Sequence, residues 1–299
     1  MTALQPWMSL ARVNRHPRDA CIVFDEPTHV YTVQGSSKGI CSITQFLHHF
    51  FPKFDADAII QKMMASKKWP ESKWYGMTPK AIKDAWNANG KEASEAGTAM
   101  HLSVEMAMNG AWDDIPAAAK ETVEWQYFMK YWDKYKETLE PYRTEWEVWD
   151  EELKLAGSID MVYRRKSDGT LCIYDWKRAK EMKYENNFDS GFGPVNHLPD
   201  TNYWHYTLQL NMYRWILERR YGVTISEMAL IVLHPNNGSY KRILLNRLEE
   251  EIEGMVECRR RALAAGRGIV LFNEVRPAAQ TPGPATSSDT TTMAAFLDD

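Results

Sequence analysis

Asp175 and Lys177 close the run Leu171-Cys172-Ile173-Tyr174-Asp175-Trp176-Lys177, and the two-residue period of a strand points both side chains to one face. By itself an Asp-x-Lys pair at a strand end is common as solvated charge. Asp160, in Gly157-Ser158-Ile159-Asp160, interrupts a second apolar segment, where a carboxylate is costly unless a cation or a donor accompanies it. His101 and Glu105 lie four residues apart in a helical segment and so project from one helix face that can hold a cation, although such a pair alone is an ordinary surface hydrogen bond. Two carboxylates and an imidazole suit Mg2+ or Mn2+ with several waters retained. A nearby lysine orients or helps deprotonate the attacking water and stabilises charge on a phosphate oxygen, the two services that phosphodiester hydrolysis needs. Gln209 and Tyr213 again stand four apart on a helical segment; they read either as a contact to phosphate or base, or as a half-buried tyrosine covered by glutamine.

These side chains need a sheet with helices around it. Strand lengths fit Arg143–Trp149, Leu153–Tyr163 and Thr170–Trp176, with Ser167-Asp168-Gly169 as a turn, so a β-meander can set Asp160 beside Asp175. His101 falls in a predicted helix from Lys91 to Met108 that stops at Asn109-Gly110, and a second helix is expected from Ala117 to Leu139, before Pro141. Residues 178–200 read as a loop, and Tyr203–Tyr221 as a helix ending at Gly222. Two strands, Met228–Leu233 and Tyr240–Leu245, and a closing helix Glu249–Ala264 complete the pattern. Upstream, Cys21–Gln34 reads as a hairpin and Ser42 as the N-cap of a short helix.

Residues 62–91 look like an inserted set of short helices and loops in which lysines and tryptophans interleave. Between Lys53 and Lys91 eight lysines stand against four acids, in a chain whose formal net charge is −4. Lys67, Lys68, Lys73 and Trp74 supply what a single-strand groove uses, cations for the backbone and aromatic faces for the bases. The bland alternative is a small subdomain with its tryptophans turned inward.

Composition narrows the rest. With 44% hydrophobic residues the chain can bury a large core, and its longest apolar run, Met228–Leu233, is far too short to cross a bilayer, so a membrane role is not expected. Four scattered cysteines form no C-x-x-C pair, which indicates neither a zinc ribbon nor a disulfide framework and suggests a reducing compartment. Arg12, Arg15 and Arg18, without an acid in residues 1–18, are a weak organelle-targeting signal; the compartment is otherwise open. A flexible N-terminus over residues 1–20, a single domain over 21–265 and a disordered tail over 266–299 are expected, the tail because Pro, Ala, Thr, Ser and Gly bury too little to offset ordering entropy.

Taken in order, Gly97-x-x-x-His101-x-x-x-Glu105, Glu145, Gly157-Ser-Ile-Asp160, Asp175-Trp-Lys177 and Gln209-x-x-x-Tyr213 resemble the motifs of the PD-(D/E)XK nucleases, in particular the RecB-like branch that includes the mitochondrial genome maintenance exonucleases. The resemblance covers about residues 90–222. It implies an α/β fold with a central mixed sheet flanked by helices, here carrying an N-terminal hairpin and the helical insertion. It also implies metal ligation by His101, Asp160 and Asp175 with the backbone carbonyl of Trp176, water positioning by Lys177, and DNA contact by Gln209 and Tyr213. Glu145 matches the family's upstream strand glutamate, although Glu147 points the same way by strand alternation. Asp175 stands where many relatives have Glu, and Cys258 stands alone where some carry clustered cysteines, so no iron–sulfur cluster is expected. The implied activity is a Mg2+- or Mn2+-dependent exonuclease on DNA that is single-stranded or has free ends. A structure-selective endonuclease and a non-catalytic nucleic-acid-binding module remain the alternatives.

Overall fold

The computed structural model describes residues 8–268, 270 and 272. In chain order the elements are α1 (Ser9–Val13), β1 (Ile22–Asp25), β2 (Val30–Val33), β3 (Cys41–Ser42), α2 (Ile43–His48), α3 (Ala56–Met64), α4 (Pro79–Met108), α5 (Ala117–Lys120) and α6 (Val123–Tyr135). They continue with β4 (Leu139–Asp150), β5 (Leu155–Arg165), β6 (Leu171–Lys177), α7 (Asn202–Arg220), β7 (Ile225–Val232), β8 (Lys241–Leu244) and α8 (Glu249–Ala264). β1 and β2 form the expected hairpin, and Ser42 caps α2 by accepting from the Gln45 N–H at 3.1 Å.

β4, β5 and β6 form the expected antiparallel meander, β7 adds parallel to β6, and β8 adds antiparallel to β7, so the six-stranded sheet is mixed. Alternation along the strands sorts the side chains into two cores. Ile159, Ile173 and Leu230 pack with α2, α7 and α8, whereas Met161, Tyr174 and Ile231 pack with α4 and α6, giving helices on both faces. The architecture is α/β, as expected.

One irregularity creates the site. β4 follows β5 along its length, but β5 pairs with β6 only over Met161–Arg164, against Leu171–Tyr174. Further toward its start β5 instead meets β3, which pairs parallel with Leu155 and Ala156. Between these two pairings β5 and β6 part, with Asp160 on one lip and Asp175 on the other.

Several boundaries differ from the sequence reading. The helix carrying His101 does not begin at Lys91: it starts with Thr78, whose hydroxyl accepts from the Ala81 N–H at 3.2 Å, and Pro79 at its first position, and runs unbroken through Gly90 for 30 residues. A mid-helix glycine costs only about 1 kcal/mol relative to alanine, and no proline follows until residue 116. The second expected helix, Ala117 to Leu139, is broken into α5 and α6, the latter capped by Thr122 and ending at Tyr135, and β4 begins at Leu139, before Pro141. Pro141 is tolerated there because β4 pairs only with β5 and the register slips between Pro141 and Arg143.

The N-terminal stretch is folded from residue 8 on, contrary to the flexible segment expected over residues 1–20. Asp19 accepts from buried Arg143 at 2.7 Å and from the Trp146 indole at 3.0 Å, and the Arg18 guanidinium lies 3.7 Å over the Trp149 ring. Residues 1–7, and most of the tail expected over residues 266–299, lie outside the described residues. At the edge of that tail, Arg259 is wholly buried and donates to the Gly268 carbonyl, and Phe272 packs on Phe50 with ring centroids 5.2 Å apart.

Removing the Asp19 carboxylate leaves the buried Arg143 charge without its acid. Asp19→Ala should therefore lower the unfolding free energy by about 3 kcal/mol in urea titration, the scale for a buried ion pair stripped of one partner. A change below about 0.5 kcal/mol, typical of neutral surface sites, would show that this segment is not part of the cooperative unit.

Candidate metal centre

The parted strands are held by side chains. Asp160 Oδ2 accepts from the Trp176 N–H at 3.0 Å, taking the place of a ladder bond that β5 and β6 no longer make. From α4, on the opposite side of the sheet from α7, His101 places Nε2 2.9 Å from the Trp176 carbonyl oxygen and Nδ1 3.5 Å from Asp160 Oδ2. The 2.9 Å contact of His101 Nε2 with the Trp176 carbonyl is a hydrogen bond, and a cation held there would take its place.

Glu145 completes the cluster: His101, Glu145 and Asp160 each offer a ligand atom, all within 4.8 Å of one another. Its backbone sits at φ 40°, in the left-handed region that L-residues other than Asn and Asp rarely enter. On a regular strand Glu145 and Glu147 would share a face. Here Ser158 donates to Glu145 at 2.9 Å, whereas Glu147 is hydrogen-bonded to the backbone at Phe24. Strain of this kind, at about 1–3 kcal/mol, persists where the surroundings over-determine it, most often at functional sites.

Asp175 is buried, and its Oδ2 lies 3.1 Å from Lys177 Nζ without the alignment of a hydrogen bond. Burial, then the neighbouring Asp160, pushes the Asp175 carboxyl up to about 7, against the opposing pull of Lys177 and His101. Burial likewise raises Glu105 to about 7, with a further contribution from Glu26, and its Oε1 is buried without a hydrogen-bond partner. Glu145 is raised well above the usual carboxyl range, by burial and then by Asp160 and Glu105. A divalent cation relieves this crowding, and the donor set of carboxylates, imidazole and carbonyl is chemically the right one for Mg2+ or Mn2+.

Lys177 is buried, with its ammonium 4.5 Å over the ring of Tyr206, so it is held from α7 as well as by Asp175. Tyr206 escaped the sequence reading, although it lies three residues before Gln209 and so on the same helix stripe. Gln209 and Tyr213 are themselves buried rather than presented to a ligand. Gln209 Nε2 donates to the Thr44 hydroxyl at 3.3 Å and approaches the Tyr213 hydroxyl at 3.5 Å. Tyr213 explains Gly157: a Cβ there would meet Tyr213 Cε1 at 2.8 Å and Ile43 Cδ1 at 3.2 Å. The pair supports the strand that carries Asp160, the packing role that stood beside DNA contact as the second reading of these residues.

The basic segment is also rearranged. Trp74 is buried, 8% exposed, with Ile60 and Ile82 in a small core of its own, so it is not open to stack on a base as expected. Lys67, Lys68 and Lys73 are exposed, Lys73 with its ammonium 4.6 Å over Trp74. Here too the inward-turned tryptophan is the correct reading, while the lysines keep a solvent-facing position.

The sequence pattern of the PD-(D/E)XK nuclease superfamily matches residues 57–270, most of the chain. The chain belongs to that superfamily. No curated protein sequence matches it. As a PD-(D/E)XK protein it is a metal-dependent nuclease by family, and the cluster at the parting of β5 and β6 is where the members' metal chemistry is to be sought. The superfamily match also takes in α3 and all of α4, so the basic segment lies within the matched region.

Because Glu105, Glu145 and Asp175 are raised on folding, the stability of the metal-free protein is greatest below their unfolded values and is lost as pH rises from there through about 7. Its melting temperature should fall between about pH 5 and about pH 8, and Mg2+ or Mn2+ should raise it more at the upper pH, with protons released on binding. A cation effect equal at both pH values would show that these carboxyls do not take up the ion.

Proposed function

We propose that the protein is a Mg2+- or Mn2+-dependent DNA exonuclease of the RecB-like branch, hydrolysing phosphodiester bonds at single-stranded ends during replication, recombination or repair. The observation that carries this reading is the meeting of His101, Glu145 and Asp160 where β5 and β6 part, with the Asp175–Lys177 pair beside them on β6. His101, Glu145, Asp160 and the Trp176 carbonyl would hold the cation, joined by the neighbouring Asp175 carboxylate, with Glu105 beside them. When bound, the ion supplies Lewis-acid polarisation of the phosphate and makes water a better nucleophile.

The remaining work falls to the chain. Tyr206 and Asp175 fix the Lys177 ammonium from two sides, so that it can donate to the attacking water or to a non-bridging phosphate oxygen without reorganising. The Asp160 bond to the Trp176 N–H holds both lips of the gap in register, and Gly157 lets Tyr213 pack beneath it. Burial around Asp175 and Lys177 keeps bulk water away from the reacting phosphate. A protein that only held nucleic acid would have no need of buried carboxylates beside a buried lysine.

Exonuclease action is supported by the arm before His101. α3 and the first turns of α4 enclose their own small core, and the exposed lysines at 67, 68 and 73 offer a cationic path for a strand end. Replacing all three lysines should raise the apparent Michaelis constant and flatten its salt dependence. Linear single strands should be degraded and circular ones spared; equal cleavage of both would favour a structure-selective endonuclease instead.

Asp175→Ala and Lys177→Ala should each abolish cleavage while leaving thermal unfolding cooperative, because each removes part of the cation–water apparatus. Chelation should stop the reaction, Mg2+ or Mn2+ should restore it, and Ca2+ should support little turnover. Near-normal rates in both variants, or cleavage surviving thorough chelation, would contradict the assignment.

A further inference from the structure

Beyond Lys177 the chain forms a loop, residues 178–200, that returns to the start of α7, and an aromatic track follows it outward. Tyr206, against the Lys177 ammonium, is one helical turn from Tyr203. Tyr203 is buried beneath two rings: Tyr184 of the loop, centroids 4.5 Å apart at 44°, and Trp204, centroids 4.9 Å apart at 72°. Tyr184 is nonetheless 48% exposed and Trp204 is half-buried, so both rings keep surface toward solvent.

Their position is built rather than incidental. Asn202, 1% exposed, donates to the Glu181 carbonyl and accepts from the Lys183 N–H, each at 2.9 Å, and so clamps the loop on both sides of Met182. The Trp204 indole donates to the Tyr184 carbonyl at 3.2 Å. Hydrogen bonds therefore hold the backbone at Tyr184 while its ring faces outward, an arrangement in which stacking costs little ordering entropy. Ammonium groups flank the track, Lys177 at its inner end and exposed Lys180 beside the loop.

We infer that Tyr184 and Trp204 form a stacking platform for unpaired nucleobases of the strand whose phosphates lie at the metal centre. This rests on the nuclease reading and deepens it by naming the side chains that hold the unpaired bases. Bases within a duplex already stack on their neighbours and offer no free face, whereas unpaired bases stack on aromatic side chains for about 1–3 kcal/mol each. The platform and Tyr206, which holds Lys177, stand on the same first turns of α7, so a strand lying on these rings is directed toward the metal centre.

The test measures binding without cutting. In the Lys177→Ala background with Mg2+, fluorescence anisotropy follows a labelled oligothymidylate, an abasic strand of equal length, and a duplex. Tyr184→Ala and Trp204→Ala should each weaken oligothymidylate binding by about 5- to 150-fold, the range set by that stacking free energy. Abasic and duplex binding should hardly change, and Tyr184→Phe should restore the affinity. Equal losses for the abasic strand and the oligothymidylate, or no loss for either, would overturn the platform. A parent protein that cleaves single strands while both alanine variants bind normally would remove this inference alone; a parent protein that neither binds nor cuts any of the three would remove the nuclease reading beneath it.

Discussion

Asp160 and Asp175 face one another where β5 and β6 part, and with Glu105 and Glu145 they crowd four acidic side chains around His101 and Lys177. Most of the architecture can be understood as the means of holding that arrangement. Left to itself a sheet would close the gap with ladder bonds and exclude the carboxylates. Instead Asp160 accepts the Trp176 N–H in place of a backbone carbonyl, and β3 takes over the pairing of β5 on the far side of the gap. The cost appears in the raised carboxyl groups of Glu105, Glu145 and Asp175 and in the left-handed backbone at Glu145. A divalent cation bound there would offset that cost and couple the stability of the fold to its chemistry.

The supports come from both faces of the sheet. α4 brings His101 from one side, and its first turns extend away to carry the small core around Ile60, Trp74 and Ile82. α7 works from the other side, where Tyr206 holds Lys177 and Tyr213 packs on Gly157. A single stripe of α7, through Tyr206, Gln209 and Tyr213, thus backs the lysine and the strand that bears Asp160.

Much of this was legible in the sequence because it follows from short periods. The two-residue repeat of a strand pointed Asp175 and Lys177 to one face, and the turn at Ser167-Asp168-Gly169 set the meander that brings Asp160 opposite Asp175. Other features depend on tertiary context. No local signal marks the left-handed backbone at Glu145, and only the contacts of the fold bring Glu145 rather than Glu147 to Asp160. Gln209 and Tyr213 have the spacing of a ligand pair, but that spacing equally suits a buried stripe, and only the contact with Gly157 distinguishes the two. Trp74 among lysines resembled an exposed platform, whereas Ile60 on α3 and Ile82 on α4 pack against it. The start of α4 carried a readable signal, Thr78 before Pro79, outweighed in the sequence reading by the Pro and Gly residues just upstream.

The central claim is that the crowded carboxylates are the ligands of a divalent cation. The most direct measurement is anomalous diffraction from crystals of the full chain soaked in Mn2+. A strong peak is predicted between His101 Nε2, the carboxylates of Glu145, Asp160 and Asp175, and the Trp176 carbonyl. Well-ordered side chains there without a peak, or a peak confined to other acidic residues, would contradict it.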